Sequence, residues 1–159
     1  WGYHHPLLNF LQKDKFFLQE IHRVLKPGGK LLLTTPNKLM SLSRNPWHIR
    51  EYTPAEMKNI LDKYFNENSV NGVYGNDLVM DYYQKNKIAV RKITRFDIFN
   101  LQYILPRWLL QIPYDILNRL NRKKLKSQNE KVVQSVTVED YFIKESTENC
   151  LDYFCIATK

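Results

Sequence analysis

The sequence predicts an α/β protein whose sheet is largely parallel, and three observations carry that reading. Phe17, Leu18, Ile21, Val24 and Leu25 recur at helical spacing. A tight glycine turn follows, and then the apolar string Lys30-Leu-Leu-Leu-Thr-Thr35, whose unbroken character suits a strand covered on both faces. The residues beyond repeat the alternation of helix and strand.

In order along the chain, Asp14 is placed to cap the first helix, and Lys26, Pro27, Gly28 and Gly29 supply a basic last turn and a stop. Thr53-Pro54-Ala55-Glu56 opens a second helix with a capping box, Pro occupying the first turn. Met57, Ile60, Leu61, Tyr64 and Phe65 mark its apolar face. Residues 69–74 read as a further short strand ending at Gly75, and 150–158 as the last, so three strands are expected. Between them lies a long segment, 77–145, that is helical in its middle: Phe96, Phe99 and Tyr103, then Trp108, Leu109 and Ile112, then Ile116, Leu117 and Leu120. Pro106 and Pro113 are expected to break it into short helices.

Composition narrows the classes. The chain has 159 residues, of which 43% are hydrophobic and 25% charged, which excludes disorder, a collagen repeat and a disulfide scaffold. The net charge of +8 is concentrated: residues 85–131 carry twelve basic and three acidic side chains. No apolar run approaches the ~20 residues of a membrane span, and Trp1 to Phe10 lacks the features of a signal peptide, so the expected compartment is the cytoplasm. Cys150 and Cys155, read into one strand, would stand roughly 17 Å apart and are expected as two buried thiols.

Glu20-Ile-His-Arg-Val-Leu-Lys-Pro-Gly-Gly-Lys-Leu-Leu-Leu-Thr-Thr-Pro-Asn37 closely resembles the segment before and through the fifth strand of class I S-adenosylmethionine-dependent methyltransferases, the type 11 group in particular. Asn45-Pro-Trp-His-Ile-Arg-Glu-Tyr-Thr-Pro-Ala-Glu56 is similar to the family's post-strand loop and next helix, and Val73-Tyr-Gly75 to its sixth strand. The resemblance covers 9–75 and resumes at 150–159. It implies a Rossmann-like, doubly wound sheet of which this chain holds the fifth, sixth and antiparallel seventh strands. Residues 1–159 are then a single incomplete methyltransferase domain, with 77–145 a basic helical insert. The family's Gly-rich turn after its first strand and the acidic residue ending its second cannot be placed, because Gly28 and Gly29 follow a helix instead of preceding one. Asn9-Phe10 also stands where relatives often carry Glu-His, and Trp1 to Leu8 makes a poor apolar strand. The chain thus reads as a truncated C-terminal portion, a natural truncation or an incomplete gene product, inactive alone. Its cofactor, S-adenosylmethionine, is implied by the resemblance, with its binding residues unassigned.

Candidate site residues follow from chemistry and position. Asn37, with Thr35 and Pro36, lies at the carboxyl end of a parallel strand, where ligands bind in open α/β sheets, and its amide could orient a substrate group. The plain alternative is a Pro-Asn turn ending the strand. In the loop that the resemblance sets at the active-site mouth, His48 is a candidate base and Arg50 a candidate anchor for a carboxylate or phosphate. Glu51 and Tyr52 complete that substrate-binding set, against the alternative of an Arg50–Glu51 pair and a Tyr52 that staples the helix start. Trp47 reads as packing. His4, His5, His22 and the two cysteines make no metal-ligand set, and no nucleophile elbow, Walker loop or His-Glu-x-x-His motif is present.

The insert has several readings: a substrate lid or cap, which is favoured; an amphipathic basic element contacting an anionic membrane through 94–126; a nucleic-acid binder, disfavoured because 119–126 lacks exposed aromatics and its Leu120 and Leu125 look core-facing; or a solvated helix pair. The expected function is methyl transfer to a small-molecule, lipid or saccharide acceptor. The alternative is a non-catalytic remnant that docks on a membrane surface or a partner protein through the insert. Oligomeric state is left open.

Overall fold

The computed structural model describes residues 14–47, 50–97, 99–129 and 134–159. They form two compact units, 14–40 with 50–74 and 143–159 in one, and 41–47 with 75–142 in the other.

The first unit is α/β. Helix α1 (Asp14–Val24) precedes strand β1 (Lys30–Pro36), helix α2 (Pro54–Leu61) precedes β2 (Glu67–Gly75), and β3 (Tyr141–Glu145) and β4 (Asp152–Thr158) close the chain. The sheet order is β1-β4-β2-β3. β4 is antiparallel to both β1 and β2, with Leu33 and Val70 on either side of Cys155, so β1 and β2 are parallel to each other without being neighbours. The expectation of a largely parallel sheet is thus corrected: the ladders joining β1, β4 and β2 are antiparallel, because the expected last strand inserts between the two parallel ones. A fourth strand, β3, lies inside the stretch read as helical. All five of its residues are exposed, so the apolar alternation that reveals a half-buried strand is missing.

The core lies on one face of this sheet. Tyr153, Cys155 and Ala157 alternate inward along β4 and meet Leu18 of α1, Met57 and Leu61 of α2, and Phe65. Burying each large side chain contributes about 1.5–3 kcal/mol. Leu31 and Leu33 pack against the same cluster, whereas Leu32 between them is 63% exposed. Among the described residues the expected cover on both faces is not found: α1 and α2 supply residues to the Leu31/Leu33 face. Val24, in the last turn of α1, also turns outward. Tyr64 and Phe65 lie beyond the end of α2 yet pack as its spacing predicted.

Local chemistry sets these element ends. Thr53 caps α2 reciprocally, its hydroxyl accepting from the Glu56 N–H (3.3 Å) while the Glu56 carboxylate accepts from the Thr53 N–H (2.8 Å). Gly28 adopts φ +76°, which only glycine takes without strain, and its N–H donates to the Lys159 carbonyl (2.9 Å). The Lys159 ammonium donates to the carbonyls of Arg23 (3.1 Å) and Leu25 (2.8 Å), satisfying acceptors that the end of α1 leaves open. The cap expected at Asp14 lies outside the described side chains, as do Trp1–Phe10 with His4 and His5.

The second unit is helical. Asn76 caps α3 (Asp77–Thr94) by accepting from the Val79 N–H (3.1 Å), and α4 (Leu101–Ile104) and α5 (Arg107–Gln128) follow. Pro106 stands at the start of α5 as expected, but Pro113 does not break it. The proline removes one hydrogen bond to the Leu109 carbonyl, and it does so where Leu109 is exposed and water can replace the donor. Asn121 of α5 donates to Asn86 of α3 (2.9 Å), and Leu125 is buried, whereas Leu120, expected to face the core, is exposed. The Trp47 indole donates to Asp115 (3.0 Å) and the Arg44 guanidinium to the Gln102 carbonyl (2.7 Å), which fixes the 41–47 segment on this unit.

Candidate functional site

Because β1 and β2 are parallel, their carboxyl ends lie on one edge of the sheet, and the loop leading into β4 returns there. Asn37, one residue past β1, is 1% exposed and spends its whole amide inside the protein. Its Nδ2 donates to the carbonyls of Glu148 (2.9 Å) and Cys150 (2.7 Å), and its Oδ1 accepts from the Leu39 N–H (3.0 Å) and the Tyr153 hydroxyl (2.6 Å). Burial raises the Tyr153 pKa well above the ordinary phenol value, so the hydroxyl stays a donor. From β2, the Tyr74 hydroxyl donates to the Glu145 carbonyl (2.8 Å) and accepts from the Thr147 N–H (3.1 Å). The loop 146–151 is thereby tied to the ends of both parallel strands.

Beside this network runs the 50–53 segment. Asn37 and Tyr52 form a parallel bridge, with the Lys38 N–H donating to the Tyr52 carbonyl (3.0 Å). Tyr52 packs partly against the core, Glu51 is half-buried and Arg50 is exposed. The structure thus brings together Asn37 and Tyr52 from the expected set, with Arg50 and Glu51 next to them along the chain. His48 lies outside the described residues. Lys38 adds a cation here, 3.6 Å from Glu56. The Glu56 carboxyl is held below its ordinary pKa, chiefly by the Thr53 backbone N–H and further by the Lys38 charge.

Cys150 and Cys155 are both buried free thiols, and burial raises both pKa values, Cys155 to about 12. The His22 ring packs edge-on against Phe65 at 5.4 Å. Among the described residues no group of three His, Cys, Asp or Glu side chains could hold a metal ion. The Gly28–Gly29 turn does not fit a cofactor cradle, because the Gly28 N–H is given to Lys159 and the Gly29 N–H to Lys26 (2.8 Å). In the helical unit, an apolar groove of about 630 Å³ runs between α3 and α5.

Sequence reasoning did not foresee the Asn37–Cys150–Tyr153 network. Its partners lie more than a hundred residues apart, and no local pattern marks that pairing.

Comparison with known proteins finds a similarity over part of the chain. Over 51 residues it is 43% identical to a protein of Mycolicibacterium smegmatis named a probable S-adenosylmethionine-dependent methyltransferase. The match takes in 29% of this chain and 20% of that protein, so the chain spans about a fifth of the relative. Over that stretch it is related to a methyltransferase. No family model matches the chain, and no solved structure matches it.

Proposed function

We propose that the chain forms the acceptor side of an S-adenosylmethionine-dependent methyltransferase of class I, type 11 kind. The similarity to the mycobacterial protein carries this reading. The sheet supports it, since two parallel strands with an antiparallel last strand are what the fifth, sixth and seventh strands of that fold require. The cofactor supplies an activated methyl group on a sulfonium, and it is held by residues other than the Gly28–Gly29 turn.

What this chain contributes is position and proton removal. The Asn37 network fixes the end of β1 and the loop before β4, so that 50–52 is presented from a rigid base. Arg50 would hold a carboxylate or phosphate of the acceptor, Glu51 and Tyr52 would order its polar groups, and His48 would take the proton that the acceptor's O–H or N–H loses as the methyl group moves to that O or N and its bond to the sulfonium sulfur breaks. The acceptor is a small molecule, a lipid-linked molecule or a saccharide.

The test is transfer of a radiolabelled methyl group from S-adenosylmethionine, with calorimetric titration of S-adenosylhomocysteine alongside. Both use the 159-residue chain and its reading frame extended upstream. The extended protein is expected to bind the homocysteine product and the 159-residue chain alone is not. An extended protein that binds none would overturn the methyltransferase reading, and binding by the chain alone would overturn its assignment to the acceptor side. His48→Ala is expected to lower kcat more than it weakens cofactor binding, and equal turnover removes His48 from the mechanism.

A further inference from the structure

No helix among the described residues is long and apolar enough to cross a membrane, yet the helical unit presents an unusual outer face. Along α5, Trp108, Ile112, Ile116 and Leu120 follow one another at four-residue steps, and every one is more than half exposed. Four-residue spacing stacks side chains on one side of a helix, so these form a continuous stripe. Phe96 and Phe99, on the approach to α4, are 82% and 75% exposed. Isolated exposed apolar residues are ordinary, but a contiguous run of this kind marks a surface that meets something apolar.

The charge around the stripe says what that partner is. Between residues 95 and 126 there are seven Lys and Arg against two Asp. The stretch keeps a net charge of +5, seven cations less two carboxylates, and both carboxylates are held in place by neutral donors. Asp97 caps α4, accepting from the N–H groups of Leu101 (2.6 Å) and Gln102 (3.0 Å), and Asp115 accepts from the Trp47 indole (3.0 Å). Directly after the stripe, α5 continues with Arg122, Lys123, Lys124 and Lys126, all exposed. The apolar stripe and the cationic end therefore belong to one helix. The groove between α3 and α5 repeats the combination, with an apolar floor of Ile93, Leu117 and Leu125 and with Lys92 and Lys124 among its lining.

We propose that the helical unit docks on an anionic membrane surface, with the Trp108–Ile112–Ile116–Leu120 stripe at the level of the acyl boundary and Arg122–Lys126 on the lipid phosphates. An amphipathic helix with aromatic and aliphatic residues on one side and cations beside them has the chemistry of an interfacial element. A second copy of the chain is a poorer occupant, because a two-fold contact sets the same cationic surface against itself. A nucleic acid would meet the cations but leave the Ile and Leu stripe without an apolar partner.

The test is co-sedimentation of the purified chain with vesicles of phosphatidylcholine alone and of phosphatidylcholine mixed with phosphatidylglycerol. Binding is expected to the anionic vesicles only, and to weaken as salt shortens the reach of the surface charge. Replacing Arg122, Lys123, Lys124 and Lys126 by Gln is expected to lower partitioning on the order of a hundredfold or more, since each cation near such a surface contributes several-fold. Ile112→Asp with Ile116→Asp is expected to abolish binding with all the cations retained. Both sites are already exposed, so circular dichroism should match the parent. If that variant misfolds, the Gln variant alone decides.

Failure to pellet with either vesicle overturns the proposal, and so does binding that is indifferent to lipid charge. Dimerisation in sedimentation velocity that Ile116→Asp breaks, without vesicle binding, assigns the stripe to a second copy instead. Retention of duplex DNA or RNA in place of vesicles assigns the cations to nucleic acid.

Discussion

Asn37 and Tyr153 provide the sharpest test of how the sheet edge is built. Asn37→Ala deletes four hydrogen bonds at once. The Glu148 carbonyl and the Leu39 N–H are only part-buried and recover water, but the Tyr153 hydroxyl and the Cys150 carbonyl are left buried without a partner. At about 1–3 kcal/mol for each orphaned group, the variant should lose about 4 kcal/mol, about a quarter or more of the ~5–15 kcal/mol available to a domain. Tyr153→Phe should cost only about 1 kcal/mol, because Asn37 Oδ1 keeps the Leu39 N–H. In the double variant the hydroxyl is no longer there to be orphaned, so the losses should not add. The expected coupling is about 3 kcal/mol, measured by urea denaturation of the four proteins. Additivity to within about 0.5 kcal/mol would refute the network as drawn.

Three further outcomes follow from the same structure. Glu56 has its pKa lowered, first by the Thr53 N–H, so its contribution to stability is present above the unfolded carboxyl pKa of about 4.3 and disappears as pH falls through the lower folded value. Urea midpoints should therefore drop on the acid side, and Glu56→Gln, which keeps the acceptor, should flatten that drop slightly, since the group is exposed and screened. With its pKa at about 12, Cys155 has roughly one thiol in ten thousand ionised at pH 8, so a colorimetric thiol reagent should report it only on unfolding; rapid labelling of the folded chain would contradict its burial. A Cβ at Gly72 would lie 2.7 Å from the Cys150 Cβ and 2.8 Å from the Tyr74 ring, so Gly72→Ala should cost about 1–3 kcal/mol in the same denaturation assay.

How far the sequence could be read depended on whether the signal was local. The α2 capping box and the Gly28 turn depend on residues a few positions apart, and both are found as expected. The strand β3 was missed because Tyr141–Glu145 is exposed throughout, and hydrophobic alternation shows only strands with a buried face. The helix α3 was not singled out within 77–145, although Asn76 at its start is a good capping residue. Pro113 was misjudged because proline removes a single hydrogen bond, and a long helix survives that loss where the orphaned carbonyl is wet. The site shows the same division: position at the carboxyl end of β1 was legible, but the use of the Asn37 amide depends on partners that only the folded sheet supplies.

A buried asparagine whose donors and acceptor are all engaged within the protein has nothing left to offer a ligand; on the proposed reading, its part is to hold the loop before β4 and the segment around Tyr52. Arg50 is exposed, so its replacement by Ala should change the unfolding free energy in urea by no more than about 1 kcal/mol, the range of a solvent-exposed contact. On the proposed reading, the same change raises KM for an anionic acceptor in the extended protein about tenfold or more, as expected for a lost charge-assisted contact. Asn37→Ala should show the opposite signature, with lost stability accompanying any lost turnover. If Arg50→Ala destabilises the fold and spares KM, Arg50 belongs to the scaffold, and acceptor binding must be sought elsewhere along the exposed ends of β1 and β2.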